Sequence, residues 1–211
     1  MIKAVIFDLD GVLVHTDKFH YLAWKSLADS LGIYFDEKIN NRCRGVSRME
    51  SLEIVLEKSD KEYSAEEKLR FAEIKNEVYK KYLSTMTPND VGHDVIDTLL
   101  KLKENGIGIA VGSSSKNAKT ILERVGLADL FDAVSDGNNI TKTKPDPEVF
   151  LKAAEFLGVE PGDCMIVEDA VSGIMAGKAA GMTTVAVGDA AKSDIADYRL
   201  ECFSDLVRIV N

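Results

Sequence analysis

Apolar residues recur at the spacing of an amphipathic helix through much of the first half of the chain. This spacing predicts three helices, over residues 17–31, 47–58 and 64–83. Ser47 and Ser64, which open the second and third helices, each stand three residues before a glutamate, which is the pattern of a capping box. No convincing strand occurs between residues 16 and 86, so this stretch is expected to be helical throughout.

Beyond Pro88 the pattern changes to an alternation of helical segments with short β-branched runs. Helices are predicted over residues 93–104, 116–125, 147–157 and 171–180. Strands are predicted over residues 107–111, 133–135, 164–167 and 183–187. Because strand–helix–strand units build parallel sheets, this alternation predicts an α/β fold whose parallel sheet is covered by helices on both faces.

The chain opens with another apolar run, which ends at two carboxylates, Asp8 and Asp10, and a glycine, Gly11. A fully apolar run of this length is typical of a buried parallel strand. If this strand joins the sheet formed after Pro88, the intervening helical stretch must be an insertion. The expected organisation is therefore an α/β core domain of residues 1–15 and 87–211, with an inserted α-helical cap domain of residues 16–86.

Composition and charge restrict the possible partners and compartments. The 211 residues are 45% hydrophobic and 29% charged, which is ordinary for a globular protein. No apolar run is long enough to span a bilayer and no leader pattern opens the chain, so a cytoplasmic protein is expected. The net charge of −9 argues against nucleic acid or an anionic membrane as a partner. Cys43, Cys164 and Cys202 indicate neither a disulfide framework nor a zinc site, and we expect them to be buried or partly buried.

Polar residues follow several predicted strands, at the edge of the sheet where ligands bind in open α/β folds. These residues are Asp8 and Asp10 after the first strand, Ser113 after the second, and Glu168 and Asp169 after the fourth. Lys144 lies in the loop that precedes a helix. Taken singly, the serine and the acids also fit helix N-caps, and the lysine fits a solvated loop charge.

Taken together, these side chains predict a specific kind of chemistry. Carboxylates gathered at one edge would repel one another unless a cation lay among them, and Mg²⁺ prefers such oxygen ligands. One carboxylate could also attack phosphorus as a nucleophile. A nucleophile, a metal site, a hydroxyl donor and a lysine are the parts of a phosphoryl-transfer centre.

The same residues, in the same order, resemble the four motifs of the haloacid dehalogenase superfamily. The matching segments are Asp8-Leu9-Asp10-Gly11-Val12-Leu13, Ser113, Lys144-Pro145 and Glu168-Asp169. The resemblance implies a Rossmann-like sheet with an inserted helical cap. It also implies that Asp8 is a nucleophile that becomes an aspartyl phosphate and that Asp10 is the general acid/base. Asp8, Glu168, Asp169 and the backbone carbonyl of Asp10 would bind Mg²⁺, and Ser113 and Lys144 would hold the transferring phosphoryl group.

Further residues resemble the hexose-phosphate mutases of this superfamily. The resemblance implies that the non-transferring phosphate is bound by Arg48, Ser115, Lys116 and Asn117. It implies that the sugar is bound by His20, Trp24, Arg44, Gly45, Val46, Ser47, Lys75 and Ser114. Without the resemblance, residues 44–48 could be a helix cap with solvated arginines, and His20 and Trp24, on one helix face, could be ordinary packing.

The implied activity is isomerisation of β-D-glucose 1-phosphate and D-glucose 6-phosphate through the aspartyl phosphate and β-glucose 1,6-bisphosphate. A small sugar phosphate would be the only partner of a monomeric enzyme. An alternative is a Mg²⁺-dependent sugar-phosphate phosphatase built on the same core. Intact Asp8, Asp10 and Lys144 speak against a non-catalytic sensing module, and Asp10 disfavours a dehalogenase. His15 departs from the family, which usually has an acid there.

Overall fold

The computed structural model describes residues 1–210, which divide into two compact units. The core unit consists of Met1–His15 and the chain from Thr87 onward. The helical unit consists of Thr16–Met86. Among the described residues, no helix is both long enough and apolar enough to cross a membrane.

A sheet of six parallel strands forms the centre of the core unit. Its strands are β1 (Ala4–Phe7), β2 (Gly108–Gly112), β3 (Ala133–Ser135), β4 (Cys164–Glu168), β5 (Thr183–Ala186) and β6 (Tyr198–Arg199). The order β3-β2-β1-β4-β5-β6 places β1 between β2 and β4, and every residue of β1 and β4 is buried. The parallel α/β sheet predicted from the sequence is confirmed.

The register of the three central strands aligns the ends from which functional residues emerge. Phe7 of β1 pairs with Val111 of β2 and with Val167 of β4. The residues that follow, among them Asp8 and Glu168, therefore leave the sheet at one level.

Both faces of the sheet are covered. The helices of the core unit are α5 (His93–Glu104), α6 (Ala118–Arg124), α7 (Glu148–Leu157), α8 (Val171–Ala179) and α9 (Leu206–Val210), numbered after the four of the helical unit. Ile6 joins a cluster with Phe150 of α7 and Ile174 of α8 on one face. Phe7, its neighbour in β1, points to the other face, where its ring stacks on that of Phe203.

Four helices form the helical unit. They are α1 (Asp17–Leu31), α2 (Glu37–Asn41), α3 (Arg48–Leu56) and α4 (Ala65–Leu83). Their apolar faces meet in a core that contains Trp24, Leu27 and Leu52. Ser47 and Ser64 each exchange hydrogen bonds with the glutamate three residues on, so both predicted capping boxes are confirmed.

Several details differ from the sequence predictions. Strand β2 begins at Gly108 rather than at Ile107, because the N–H of Ile107 donates to the carbonyl of Leu102 in the turn that closes α5. The sequence pattern missed α2, β6 and α9, which have two to five residues each. Cys202 is exposed, which corrects the expectation that all three cysteines are buried or partly buried.

Candidate active site

A buried lysine joins two of the predicted carboxylates at the edge of the sheet. Lys144 Nζ lies 2.5 Å from Asp8 Oδ1 and 2.6 Å from Glu168 Oε1. Lys144 and Glu168 are each 1% exposed, and the ammonium group also lies 4.7 Å from the centre of the Phe150 ring. Asp8 and Lys144, which are separated by 136 positions in the sequence, thus belong to one ion-paired cluster.

Burial and the neighbouring charges shift the pKa values of Lys144 and Glu168 in this cluster. Burial opposes the positive charge of Lys144, but the adjacent Asp8 and Glu168 carboxylates outweigh it, so the pKa of Lys144 is raised above that of an ordinary lysine. Burial raises the pKa of Glu168; Lys144 opposes this increase and Asp8 adds to it. One ammonium group is thus shared between two carboxyl groups, Asp8 and Glu168.

Three carboxylates of this edge form a group that fits a metal ion. Asp8, Glu168 and Asp169 each offer an oxygen, and these oxygens all lie within 4.8 Å of one another. All three residues are buried. A hard divalent cation such as Mg²⁺ takes carboxylate oxygens as ligands, and its charge would offset the excess negative charge of the cluster. The donor set therefore fits the predicted ion.

Two glycines provide the space that these carboxylates occupy. A Cβ at Gly11 would lie 2.1 Å from Oδ2 of Asp169, and the backbone at Gly11 has a φ of +84°, which favours glycine. A Cβ at Gly173, in α8, would lie 1.9 Å from Oε1 of Glu168. Glu168 is further fixed because its Oε2 accepts a hydrogen bond from the N–H of Ala170 at 2.8 Å.

Asp10 lies two residues beyond Asp8, in the turn that leaves β1. Residues 10 and 14 form an isolated parallel bridge, and the N–H of Gly11 donates to the carbonyl of Val14 at 2.7 Å. Asp10 is half-buried and is not one of the three clustered carboxylates. The turn thus separates the two motif aspartates, which leaves Asp10 open to a different role from Asp8.

The loop after β2 is built from two successive serine turns. Ser113 Oγ accepts a hydrogen bond from the N–H of Ser115, and Ser115 Oγ accepts one from the N–H of Asn117, both at 3.2 Å. These turns delay the start of α6 to Ala118, two residues later than predicted. Ser113 is buried, Ser114 and Asn117 are half-buried, and Lys116 is exposed.

The helical unit holds a second buried lysine. Lys75 Nζ lies 3.0 Å from Nδ1 of His20, and it lies 4.7 Å and 4.4 Å from the ring centres of Trp24 and Tyr79. Burial lowers the pKa of His20 well below 6.5, and the charges of Lys75 and Arg48 add to this decrease. A neutral His20 then accepts the hydrogen bond from Lys75 through Nδ1, which assigns its proton to Nε2.

The loop that precedes α3 carries the remaining predicted residues of the helical unit. Residues 44–48 are all half-buried, and Gly45 has a φ of +75°. Arg44 forms a 3.3 Å ion pair with Asp17, and Arg48 is the first residue of α3. Of the predicted sugar-binding residues, Trp24 lies deepest: it is 1% exposed and packs in the core of this unit, beneath Lys75.

Two residues at these sites were not predicted. Tyr79 lies one helical turn beyond Lys75, and its hydroxyl donates to Thr16 Oγ1 at 3.0 Å. Asp136 directly follows β3 and is 1% exposed. Like Asp8, Ser113 and Glu168, Asp136 is a polar residue at the end of its strand, and this position is the signal that marks it in the sequence.

Comparison with known proteins agrees with this geometry. The profile of the haloacid dehalogenase-like hydrolase family matches residues 2–181, so the chain belongs to this family. The chain is 43% identical over 206 residues to the beta-phosphoglucomutase of Bacillus subtilis strain 168, which covers 97% of this chain and 91% of the relative. It is 31% identical over 183 residues to the phosphorylated carbohydrates phosphatase of Thermotoga maritima, which covers 87% of this chain and 83% of that protein.

A solved structure extends the similarity to three dimensions. The crystal structure of beta-phosphoglucomutase (pgmB) from Clostridium difficile superimposes with a TM-score of 0.92 and 41% sequence identity. The match covers 98% of this chain and 93% of that one.

Proposed function

We propose that this chain is a β-phosphoglucomutase, which isomerises β-D-glucose 1-phosphate and D-glucose 6-phosphate. The observation that carries the proposal is the cluster of Asp8, Lys144, Glu168 and Asp169 in a chain that is 43% identical to a beta-phosphoglucomutase over nearly its full length. The substrate class is a sugar phosphate. We also propose that the enzyme acts as a cytoplasmic monomer.

In the proposed reaction, Asp8 carries the phosphoryl group between the two positions of the sugar. The phosphorylated Asp8 donates its phosphoryl group to a sugar hydroxyl, and Asp10 takes the proton of that hydroxyl as the new oxygen–phosphorus bond forms. The product is β-glucose 1,6-bisphosphate. After the intermediate reorients, the Asp8 carboxylate attacks its other phosphate, and Asp10 returns the proton to the departing sugar oxygen.

The remaining predicted residues of the core unit are proposed to bind the metal ion and the negatively charged phosphoryl group. Asp8, Glu168 and Asp169, with the backbone carbonyl of Asp10, would hold Mg²⁺, which when bound neutralises charge on the phosphoryl oxygens. Lys144 is already positioned at Asp8 Oδ1 and would contact the transferring phosphoryl group together with Ser113.

The remaining roles concern the sugar and its second phosphate. Arg48 is proposed to bind the non-transferring phosphate because its planar guanidinium pairs bidentately with phosphate oxygens. Ser115, Lys116 and Asn117 are proposed to bind the same phosphate. The proposed sugar-binding residues are His20, Trp24, Arg44, Gly45, Val46, Ser47, Lys75 and Ser114, of which Trp24 is expected to act mainly as the support of Lys75.

A sugar-phosphate phosphatase is the second candidate function. The same cluster would serve it, and relatives at 31% and 30% identity are named phosphorylated carbohydrates phosphatase and fructose-1-phosphate phosphatase. The two functions differ only in whether a sugar hydroxyl or water receives the phosphoryl group from Asp8.

Product analysis separates these functions. The purified chain is incubated with β-glucose 1-phosphate, Mg²⁺ and a trace of β-glucose 1,6-bisphosphate, and glucose 6-phosphate, glucose and inorganic phosphate are measured. Glucose 6-phosphate without inorganic phosphate supports the mutase. Glucose with stoichiometric inorganic phosphate contradicts it and supports the phosphatase. Asp8→Asn serves as the control for contaminating activities.

A further inference from the structure

Asp136 is a buried carboxylate that has no part in the proposed chemistry. It lies at the same edge of the sheet as Asp8 and Glu168, directly after β3. Its Oδ1 accepts a hydrogen bond from the backbone N–H of Asn138 at 2.9 Å, and its Oδ2 accepts one from the side-chain amide of Asn138 at 3.1 Å. Burying a carboxylate is costly unless hydrogen bonds compensate for the lost water. These two hydrogen bonds are therefore expected to hold Asp136 and Asn138 in place.

Asn138 in turn binds the loop that follows β2. Its Nδ2 also donates to the carbonyl of Lys116 at 3.0 Å. The neighbouring N–H, that of Gly137, donates to the carbonyl of Ser115 at 3.2 Å. Two consecutive carbonyls of the loop are therefore held by two consecutive residues of the turn after β3.

The loop after β2 and the turn after β3 are also too close together at Gly137 to leave space for a side chain there. A Cβ at Gly137 would lie 2.5 Å from the carbonyl oxygen of Ser114 and 3.0 Å from the backbone nitrogen of Lys116. These neighbours are backbone atoms, so a side chain at residue 137 would displace the loop itself.

We propose that Asp136 and Asn138 are positioning residues that set the backbone of Ser113–Asn117 for binding of the non-transferring phosphate. The proposal rests on the proposed function, which assigns residues 115–117 to that phosphate. A peptide group is planar, so holding the carbonyl of Lys116 also directs the N–H of Asn117. That N–H completes the second serine turn by donating to Ser115 Oγ.

The chemistry of the pair explains why a carboxylate is needed. Asp136 must accept at both oxygens, because the backbone N–H of Asn138 donates to Oδ1 and the side-chain Nδ2 of Asn138 donates to Oδ2. Asp136→Asn would place an NH₂ group against one of the two donors of Asn138. One of the two hydrogen bonds between residues 136 and 138 would then be lost, which loosens the Asn138 side chain that donates to the Lys116 carbonyl.

Asn138→Ala is the first test, because Asn138 is an exposed residue and its replacement leaves the buried carboxylate in place. We expect the KM for β-glucose 1,6-bisphosphate to rise by about tenfold, the effect of losing one well-placed hydrogen bond. The kcat and the hydrolysis of p-nitrophenyl phosphate, which has no second phosphate, should stay within about twofold of wild type. Asp136→Asn should have the same selective effect, and Asn105→Ala, an exposed asparagine at the end of α5, is the matched control.

Equal losses of mutase and aryl phosphatase activity in Asn138→Ala would overturn the proposal, as would an unchanged KM. Failure of the proposed function is a different result, because it appears in wild type as absence of glucose 6-phosphate. In that case the amide ¹H–¹⁵N signals of residues 115–117 decide the positioning role. They should lose their response to inorganic phosphate in Asn138→Ala but not in Asn105→Ala; an unaltered response contradicts the proposal.

Discussion

Gly173 offers a direct test of how the carboxylate cluster is built. Replacing a glycine inside a helix by alanine usually stabilises a protein by roughly 0.5–1 kcal/mol. Gly173 lies in α8, but an added Cβ would stand 1.9 Å from Oε1 and 2.0 Å from Cδ of Glu168. The Glu168 carboxylate would therefore have to leave its position, and we expect Gly173→Ala to destabilise the protein.

The contacts that Glu168 would lose set the size of the effect. Its two oxygens accept hydrogen bonds from Lys144 Nζ at 2.6 Å and from the N–H of Ala170 at 2.8 Å. Hydrogen bonds to charged groups contribute about 1.5–3 kcal/mol each, so losing both costs about 3–6 kcal/mol. After the gain in helix propensity, the free energy of unfolding should fall by about 2–5 kcal/mol.

Urea unfolding measures this change, and the Mg²⁺ dependence of p-nitrophenyl phosphate hydrolysis measures its effect on the site. Gly177→Ala is a control one turn further along α8, where a Cβ would lie 2.5 Å from Cγ1 of Ile166; it should lower stability without raising the Mg²⁺ requirement. Gly162→Ala has no neighbouring atom within 4 Å and should change neither property. If Gly173→Ala is as stable as Gly162→Ala and needs no more Mg²⁺ than wild type, then Glu168 does not depend on the space that Gly173 leaves open.

Three further predictions follow from the two units. Asp8→Asn should abolish phosphoryl transfer, because an amide cannot form the acyl phosphate; measurable turnover in a discontinuous product assay would rule out Asp8 as the nucleophile. Arg48→Ala should reduce the mutase reaction far more than hydrolysis of p-nitrophenyl phosphate, and equal losses in both assays would argue against a phosphate contact at Arg48. The pKa of His20 is lowered by folding, so below pH 6.5 the unfolded chain binds more protons than the folded one and stability falls with decreasing pH. Between about pH 7.5 and about pH 5.5 the free energy of unfolding of wild type, measured with urea, should therefore fall more steeply than that of His20→Gln, by at most about 1.4 kcal/mol per pH unit, and parallel curves would contradict a depressed pKa.

The architecture of the core unit was predictable because its elements have strong local signals. Strands β1 and β4 are short apolar runs buried on both faces, and the intervening helices end at glycines. Elements of two to five residues, such as α2 and β6, are too short to show a period and were missed. The start of β2 depended on a hydrogen bond that closes α5, which no apolar pattern reports.

The sequence allowed us to predict which residues follow the strands at the candidate site. It did not allow us to predict which of these residues contact one another. The contact of Lys144 with Asp8 joins distant parts of the chain, and its geometry follows from the register of the sheet rather than from any local pattern. For Trp24, the local pattern was clear but had two possible meanings. Its position on the same helix face as His20 fits both a ligand-lining and a packing residue, and only the structure places it in the core of the helical unit.

The charge balance of the core unit links cation binding to phosphate binding. Asp8, Glu168 and Asp169 are buried together, and Lys144 is the one cation that the described residues place in direct contact with two of them. A phosphate dianion approaching this cluster meets an excess of negative charge, and burial strengthens the repulsion. Phosphate should therefore bind much more tightly when a divalent cation is present. The contacts that Lys144 and Ser113 offer to phosphate would not by themselves produce so strong a dependence on the cation. The buried lysine is better understood as a group that offsets part of the negative charge of Asp8 and Glu168 than as a sufficient phosphate receptor.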